Sequence, residues 1–342
     1  MFRAQKFATS FFSFKSKSKS QSSSLFRRSF SSDGHQYHPL PRVRLLAPTL
    51  WSVAACSTIY IGFAAFEVYR DARRVVEGFS SSSTTTASLT FEKLERLGDR
   101  DGGGGGGRGG SGIWRRLPTP TETETERSEF SEPQKLSAGI IALTTGIHLA
   151  SAAAPAVAMN FVHLPVSGRN ITLLTSVFGH AGLVHLGVNM YAMWWLMPTA
   201  AHSRTFREST PHLAAFYLSA GILSSLAQHA TAVWPRPNFM AALGASGALF
   251  ALFGVVGVSY PNTNVGILFL PGSVPIGQMM AYVALFDAVG IFVRYPFLRL
   301  GHAAHLGGLA VGYAYAKYAG DERIWRPARK VTFKTMQTLR IL

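Results

Sequence analysis

The chain has 342 residues, of which 47% are hydrophobic and only 15% charged, with a formal net charge of +16 at pH 7. Soluble domains carry about 25% charged residues, and the deficit lies in the second half of the chain, so the composition points to membrane spans with polar tails. The basic residues sit in the first 44 residues, the C-terminal tail and short loops, without a basic, aromatic-interleaved surface segment, which excludes nucleic acid as a partner.

Residues 1–30, MFRAQKFATSFFSFKSKSKSQSSSLFRRSF, hold Arg, Lys, Ser and Phe but no Asp or Glu. They lack the continuous apolar core of a secretory signal and have the basic, acid-poor character of a mitochondrial transit peptide. Arg28-Ser29-Phe30-Ser31 fits a cleavage site with Arg three residues before the cut. Residues 31–44 then read as a basic N-terminal tail. The run at 45–69, interrupted only by Glu67, exceeds the about 20 apolar residues that span a bilayer. The lone cysteine, Cys56, lies in this run; it excludes an intrachain disulfide and reads as a small apolar helix residue.

Residues 71–135 contain a Ser/Thr run at 80–86, a Gly tract at 102–107 and a Thr-Glu repeat at 121–126. Such a composition cannot bury a core, and a disordered linker is expected. The Gly tract has neither a following Gly-Lys-Ser/Thr nor a preceding strand, so it is not a phosphate loop. Six apolar segments follow, near 136–161, 183–197, 213–233, 243–260, 274–293 and 302–319, separated by Pro, Gly, Asn and Arg clusters. Period-two patterning is absent, and backbone groups in lipid must pair internally, so the segments are expected to be helices. The fold expected is all-α and polytopic: one N-terminal transmembrane helix, a linker, a six-helix bundle over 136–320 and a basic C-terminal tail at 321–342. Gly254 and Gly257 on the fourth bundle helix, with Gly308 and Gly312 on the sixth, predict close helix contact.

Polar groups in a membrane core are costly and ask for a function. His180, His185 and Asn189 fall on one span, the last two four apart and therefore on one helical face. Hydrogen-bond glue between helices accounts for any one of them alone; a metal site lacks a carboxylate or cysteine at ligand spacing. Ser246 lies in Gly244-Ala245-Ser246-Gly247, where the glycines leave the hydroxyl uncovered, although a serine at a helix start is often only a cap. The last bundle helix opens with His302-Ala303-Ala304-His305. A serine needs a base, and His305 offers one that titrates near neutrality in its unperturbed form. Donors at a developing oxyanion are worth about 3–4 kcal/mol each, and His185, Asn189 and the Ser246 N–H are candidates.

The ordered set His180-x4-His185-x3-Asn189, Gly244-Ala245-Ser246-Gly247 and Ala304-His305-Leu306-Gly307-Gly308 resembles the rhomboid intramembrane serine proteases over about residues 136–320. The resemblance implies a Ser–His dyad in a wet cavity within the bilayer, with Ser246 as nucleophile and His305 as base. It implies His185 and Asn189 as oxyanion donors, and Gly244 and His180 as supports of the site. Phe250 falls where many members carry a Tyr that stacks on the base. The extra N-terminal span, the transit peptide and the run Gly301–His305 resemble the mitochondrial presenilin-associated rhomboid-like branch, which implies the inner membrane. The segment Asn160–Asn170 is short and lacks the Trp-Arg pair of many other members. Asp287, an acid within the fifth bundle helix, invites the role of a third catalytic member beside Ser246 and His305; because the resemblance implies a dyad, it is expected instead to be structural, paired with Arg294.

The function expected is hydrolysis of peptide bonds in or near the transmembrane segments of single-pass membrane proteins, with the lipid bilayer as partner and without a metal or cofactor. The rival expectations are an inactive relative that binds membrane clients and a proton-coupled transporter; the chain lacks the internal repeat that a transporter usually shows.

Overall fold

The computed structural model describes residues 43–78, 89–101, 130–235, 237, 239–266, 271–293 and 300–342. The expected transit peptide, nearly all of the basic N-terminal tail, the Ser/Thr and Thr-Glu runs, the Gly tract and Arg294 lie outside these residues. The long helices are α1 (Leu46–Gly78), α2 (Phe91–Asp101), α3 (Glu132–Ala153), α4 (Leu183–Ala201), α5 (Thr210–Ala230), α6 (Ser246–Ser259), α7 (Ile276–Phe292), α8 (His302–Lys317) and α9 (Arg326–Thr338). A two-stranded antiparallel pair, β1 (Asn264–Val265) and β2 (Val274–Pro275), precedes α7.

Local chemistry sets several boundaries. Ser131 begins α3 with a capping box, its hydroxyl accepting from Gln134 N while Gln134 Oε1 accepts from Ser131 N. α3 stops at Ala154 rather than running to Phe161, because Pro155 lacks an N–H and forces the residue before it out of the helical region; Ala154 is extended, with φ −137° and ψ 104°. The connection to α4 is therefore longer than expected, with short turns at Pro165–Ser167, Thr172–Thr175 and Ser176–Phe178. It is fastened by polar contacts. Arg169 Nη2 donates to Asn160 Oδ1 at 2.8 Å, and His163 lies 2.8 Å from both Thr172 Oγ1 and His229 Nδ1. Ser209 caps α5 through His212 N.

Among the described residues, Leu46–Val75 and Glu132–Ala153 are long and apolar enough to cross a membrane singly. The segment Thr172–Phe178 and α4 qualify together as a pair bent by 91°. α6 and α7 are apolar but shorter; at about 1.5 Å per residue, α6 is some 21 Å long, less than a 30 Å hydrocarbon layer.

The core is built where α4, α5, α6 and α8 meet, with Met193, Met197, Leu213, Phe216, Tyr217, Leu252 and Val255 essentially inaccessible. α6 and α8 make the most intimate contact. A Cβ on Gly308 or Gly312 would fall inside the carbonyl oxygens of Gly247 and Ala251, and one on Gly254 would come within 2.7 Å of the Leu309 oxygen. The expected small-residue seam is present, with one correction. Gly257 faces α7 instead, where a Cβ would meet Met280 Sδ at 2.6 Å.

The linker and the C-terminal tail are not featureless where they are described. α1 continues past Tyr69 to Gly78, α2 lies inside the expected linker, and the tail forms a π turn at Asp321–Trp325 followed by α9. The reason is an apolar stripe that composition averaged over 71–135 conceals: Leu89, Phe91 and Leu94 bury themselves against Val68, Ala72 and Phe333. Charges reinforce this second core. Arg329 Nε lies 3.0 Å from Glu67 Oε2 and its Nη2 lies 3.0 Å from Asp71 Oδ2, while Arg326 pairs with Glu95 at 2.9 Å. Ser209 also donates to Glu67. The Arg329 Nε contact is an ion pair without an aligned hydrogen bond, so it acts mainly through charge. Arg329→Met would leave the buried Glu67 without its nearest cation. Breaking one partner of a buried pair costs about 3–5 kcal/mol, so the melting temperature in detergent is expected to fall by more than about 5 °C, with partial recovery when Glu67→Gln is added.

Candidate active site

Ser246 is the first residue of α6, and the segment before it is pinned from three directions. Ala242 and His163 exchange backbone hydrogen bonds of 2.9 Å, and Gly244 N donates to the Ser176 carbonyl at 2.9 Å. His180 Nε2 accepts from Ala245 N at 3.4 Å. Gly244 adopts φ +128°, and a Cβ there would come within 2.9 Å of His185 Nε2. Only glycine fits both demands. Ala245, not Ser246, occupies the N-cap position of α6, and α6 has no side-chain cap. The capping explanation of Ser246 therefore does not hold, and the hydroxyl is left for another partner.

That partner comes from α8. His305 Nε2 lies 2.9 Å from Ser246 Oγ, although the residues are 59 positions apart in the chain. The glycine seam makes this possible, since it brings the two backbones close enough for short side chains to meet. Phe250, one turn after Ser246, stacks on the His305 ring with centroids 4.3 Å apart and planes at 12°. The ring face is thereby fixed, as expected for an aromatic at this position.

The other expected residues divide. His185 lines the same cavity as Ser246 and His305, and its ring packs edge-on against His180 at 4.9 Å. Asn189 is buried on the same helix, but its Nδ2 donates to the His185 carbonyl at 2.7 Å, so one amide proton is engaged within α4. In an apolar helix the nearest acceptor for such an amide is the carbonyl one turn back. His180 supports the segment before Ser246 from behind. Its own carbonyl accepts from His148 on α3, at 3.2 Å.

Asp287's expected partner, Arg294, lies outside the described residues; among those described, its carboxylate faces α8. Asp287 Oδ1 is 2.6 Å from His302 Nδ1 and 3.3 Å from His305 Nδ1. The sequence held a signal for this. An acid within an apolar helix and a His pair at i, i+3 each lacked a partner, and they supply one another.

Sequence reasoning also passed over His148, Ser224 and Gln228. Gln228 Oε1 accepts from Ala304 N at 3.3 Å, bracing the first turn of α8. Ser224 and Gln228 lie four apart on α5, a spacing that could have marked a polar wall. A cavity of about 140 Å³ joins Ser224, Gln228, His185, Met240, Ser246 and His305. Among the described residues, no group of three or more His, Cys, Asp or Glu is arranged to hold a metal ion. The arrangement places a serine hydroxyl within hydrogen-bond reach of an imidazole, beside a small cavity with polar walls.

Residues 167–322, which include Ser246 and His305, match the model of the rhomboid domain. The chain is 32% identical over 205 residues to presenilin-associated rhomboid-like protein A, mitochondrial, of Danio rerio, an alignment covering 58% of this chain and 51% of that protein. It is 31% identical over 155 residues to the Homo sapiens presenilin-associated rhomboid-like protein, mitochondrial, covering 45% and 39%. It is 30% identical over 155 residues to rhomboid protein 1, mitochondrial, of Saccharomyces cerevisiae, covering 43% and 41%. The chain thus spans about half or less of the length of these curated relatives.

Proposed function

We propose that this chain, which carries a rhomboid domain, is a multi-pass serine endopeptidase of the mitochondrial inner membrane that hydrolyses peptide bonds in or near the transmembrane segments of single-pass proteins. The observation that carries the reading is the 2.9 Å contact between His305 Nε2 and Ser246 Oγ, beside a cavity, in a chain with bilayer-length apolar helices. The mitochondrial setting rests on the acid-poor N-terminus and on the names of the similar proteins.

The geometry supports the following reaction. Ser246 Oγ attacks the scissile carbonyl carbon as His305 Nε2 takes its proton. The carbonyl oxygen becomes an oxyanion stabilised by the Ser246 N–H and the His185 ring, and by the second amide proton of Asn189. The C–N bond then breaks, and His305 returns the proton to the leaving amine. A water, deprotonated by the same imidazole, releases the acyl group. A substrate helix must first unwind to expose its backbone, which Gly or Pro in the substrate makes easier.

The test is a purified full chain in liposomes with a fluorogenic transmembrane substrate that contains Gly or Pro. Cleavage is expected within the transmembrane segment or beside it, as mapped by mass spectrometry, together with fluorophosphonate modification at Ser246. Tight substrate binding with neither cleavage nor labelling would overturn the proposal in favour of a client-binding relative.

A further inference from the structure

We infer that Asp287 is a positioning residue for the base His305, held in place by His302, so that Ser246, His305 and Asp287 act as one aligned set. The inference deepens the proposed proteolytic reading and rests on it.

α7 is exposed or half-buried along its length; only Ile276, Asp287 and Gly290 are buried. A carboxylate on the inner face of such a helix is costly unless it is hydrogen-bonded. Among the described residues it has two donors, and they differ in role. His302 is the nearer, at 2.6 Å, and it sits in a slot cut for it. A Cβ on Gly290 would lie 2.5 Å from His302 Nδ1, and Phe286 meets the His302 ring edge-on at 5.5 Å. A purely structural ion pair would need nothing more. The same oxygen, however, also faces Nδ1 of His305, one turn further along α8. Both ring nitrogens of His305 are thus occupied, Nδ1 by a carboxylate and Nε2 by the Ser246 hydroxyl.

This arrangement has a chemical consequence. A carboxylate accepts, so Nδ1 carries the proton and Nε2 presents its lone pair to Ser246. As Ser246 attacks, its proton moves to Nε2, and the resulting imidazolium lies between Asp287 and the developing oxyanion. Asp287 keeps its charge throughout and receives no proton. The Nε2 proton then leaves with the amine. Phe250 fixes the ring plane and Asp287 fixes the rotation within that plane.

The test compares Asp287→Asn, Asp287→Glu and the unsubstituted chain in liposomes, reading kcat, KM, the rate of fluorophosphonate labelling at Ser246 and the pH profile of both rates. Asp287→Asn is expected to lower kcat and labelling by about 10- to 1,000-fold, at unchanged KM. Among the described residues, the groups facing His305 are Asp287 from α7, His302 on its own helix, Ser246 and Phe250 from α6 and His185 from α4. Asp287 is the one anion among them. Its neutralisation disfavours the imidazolium, so the acid limb of the profile moves to lower pH. Asp287→Glu, which keeps the charge, restores part of kcat and leaves the acid limb in place. Should Asp287→Asn fail to fold, His302→Asn is read instead. The carboxylate then faces His305 without its nearer competitor, and the acid limb moves to higher pH. An unmoved acid limb with unchanged kcat in whichever variant folds overturns the inference. Absence of cleavage and labelling in the unsubstituted chain would instead reject the proteolytic reading itself.

Discussion

Ser246→Ala is expected to abolish cleavage, lowering turnover by at least about 10,000-fold, while the melting temperature stays within about 2 °C of the parent. The two halves of this expectation have separate causes. The hydroxyl is the group that His305 contacts at 2.9 Å, and among the described residues no other side-chain nucleophile is placed on that imidazole. Its loss removes the covalent route altogether. The stability half follows from where the hydroxyl does not bond. It caps nothing, since α6 has no side-chain cap, and the backbone before it is held by Ser176, His163 and His180. Deleting one oxygen beside a cavity leaves these contacts intact. The check is cleavage of a transmembrane substrate in liposomes, with melting followed on the same sample. Cleavage that persists in Ser246→Ala would reject the assignment of the nucleophile.

Gly312→Ala and Gly308→Ala form the second large effect, and here stability and activity fall together. A Cβ at either position would overlap a backbone carbonyl oxygen of α6, of Ala251 or Gly247. Backbone cannot rotate away as a side chain can, so the helices must separate. Overpacking of this kind costs about 1–3 kcal/mol or more, which corresponds to a fall in melting temperature of roughly 2–8 °C. Separation also lengthens the Ser246–His305 contact, and a misplacement of about 1 Å can lower the rate about 100-fold. Gly187→Ala on α4 is the control, since a Cβ there meets nothing within 4 Å. It should keep full activity and be neutral or slightly stabilising, because Ala is the better helix former. Parallel melting curves and initial rates for the three variants settle the comparison.

The all-α architecture and the seam between α6 and α8 were legible in the sequence because both rest on composition and spacing. Apolar segments fixed the helices, and Gly308 and Gly312, one turn apart, fixed a contact face. Ser246, His305, His185 and His180 could be read because polar residues in or beside apolar helices stand out. What stayed hidden depends on contacts between distant segments. Asp287 was visible as an oddity, but its alignment with the His302–His305 pair depends on how α7 packs, which spacing along the chain does not give. Asn189 was legible as a polar residue, whereas its bond to the His185 carbonyl is a choice among local acceptors. α2 and α9 were missed because each is a short amphipathic stretch in a polar context, and neither buries its stripe until Phe91 meets Phe333.

The glycine seam also determines how the molecule can flex. With the Gly247 and Ala251 carbonyls seated directly on the α8 backbone, sliding or tilting of one helix past the other is blocked by rigid atoms rather than by adjustable side chains. Serine and imidazole therefore ride on a common frame and keep their alignment while neighbouring helices shift. Asp287 rides on a different helix, one whose outer surface carries Tyr282, Leu285 and Phe292 and faces away from the core. Any outward swing of α7 would uncouple the carboxylate from the imidazole without disturbing the nucleophile, so reactivity would rise and fall with the seating of a single helix.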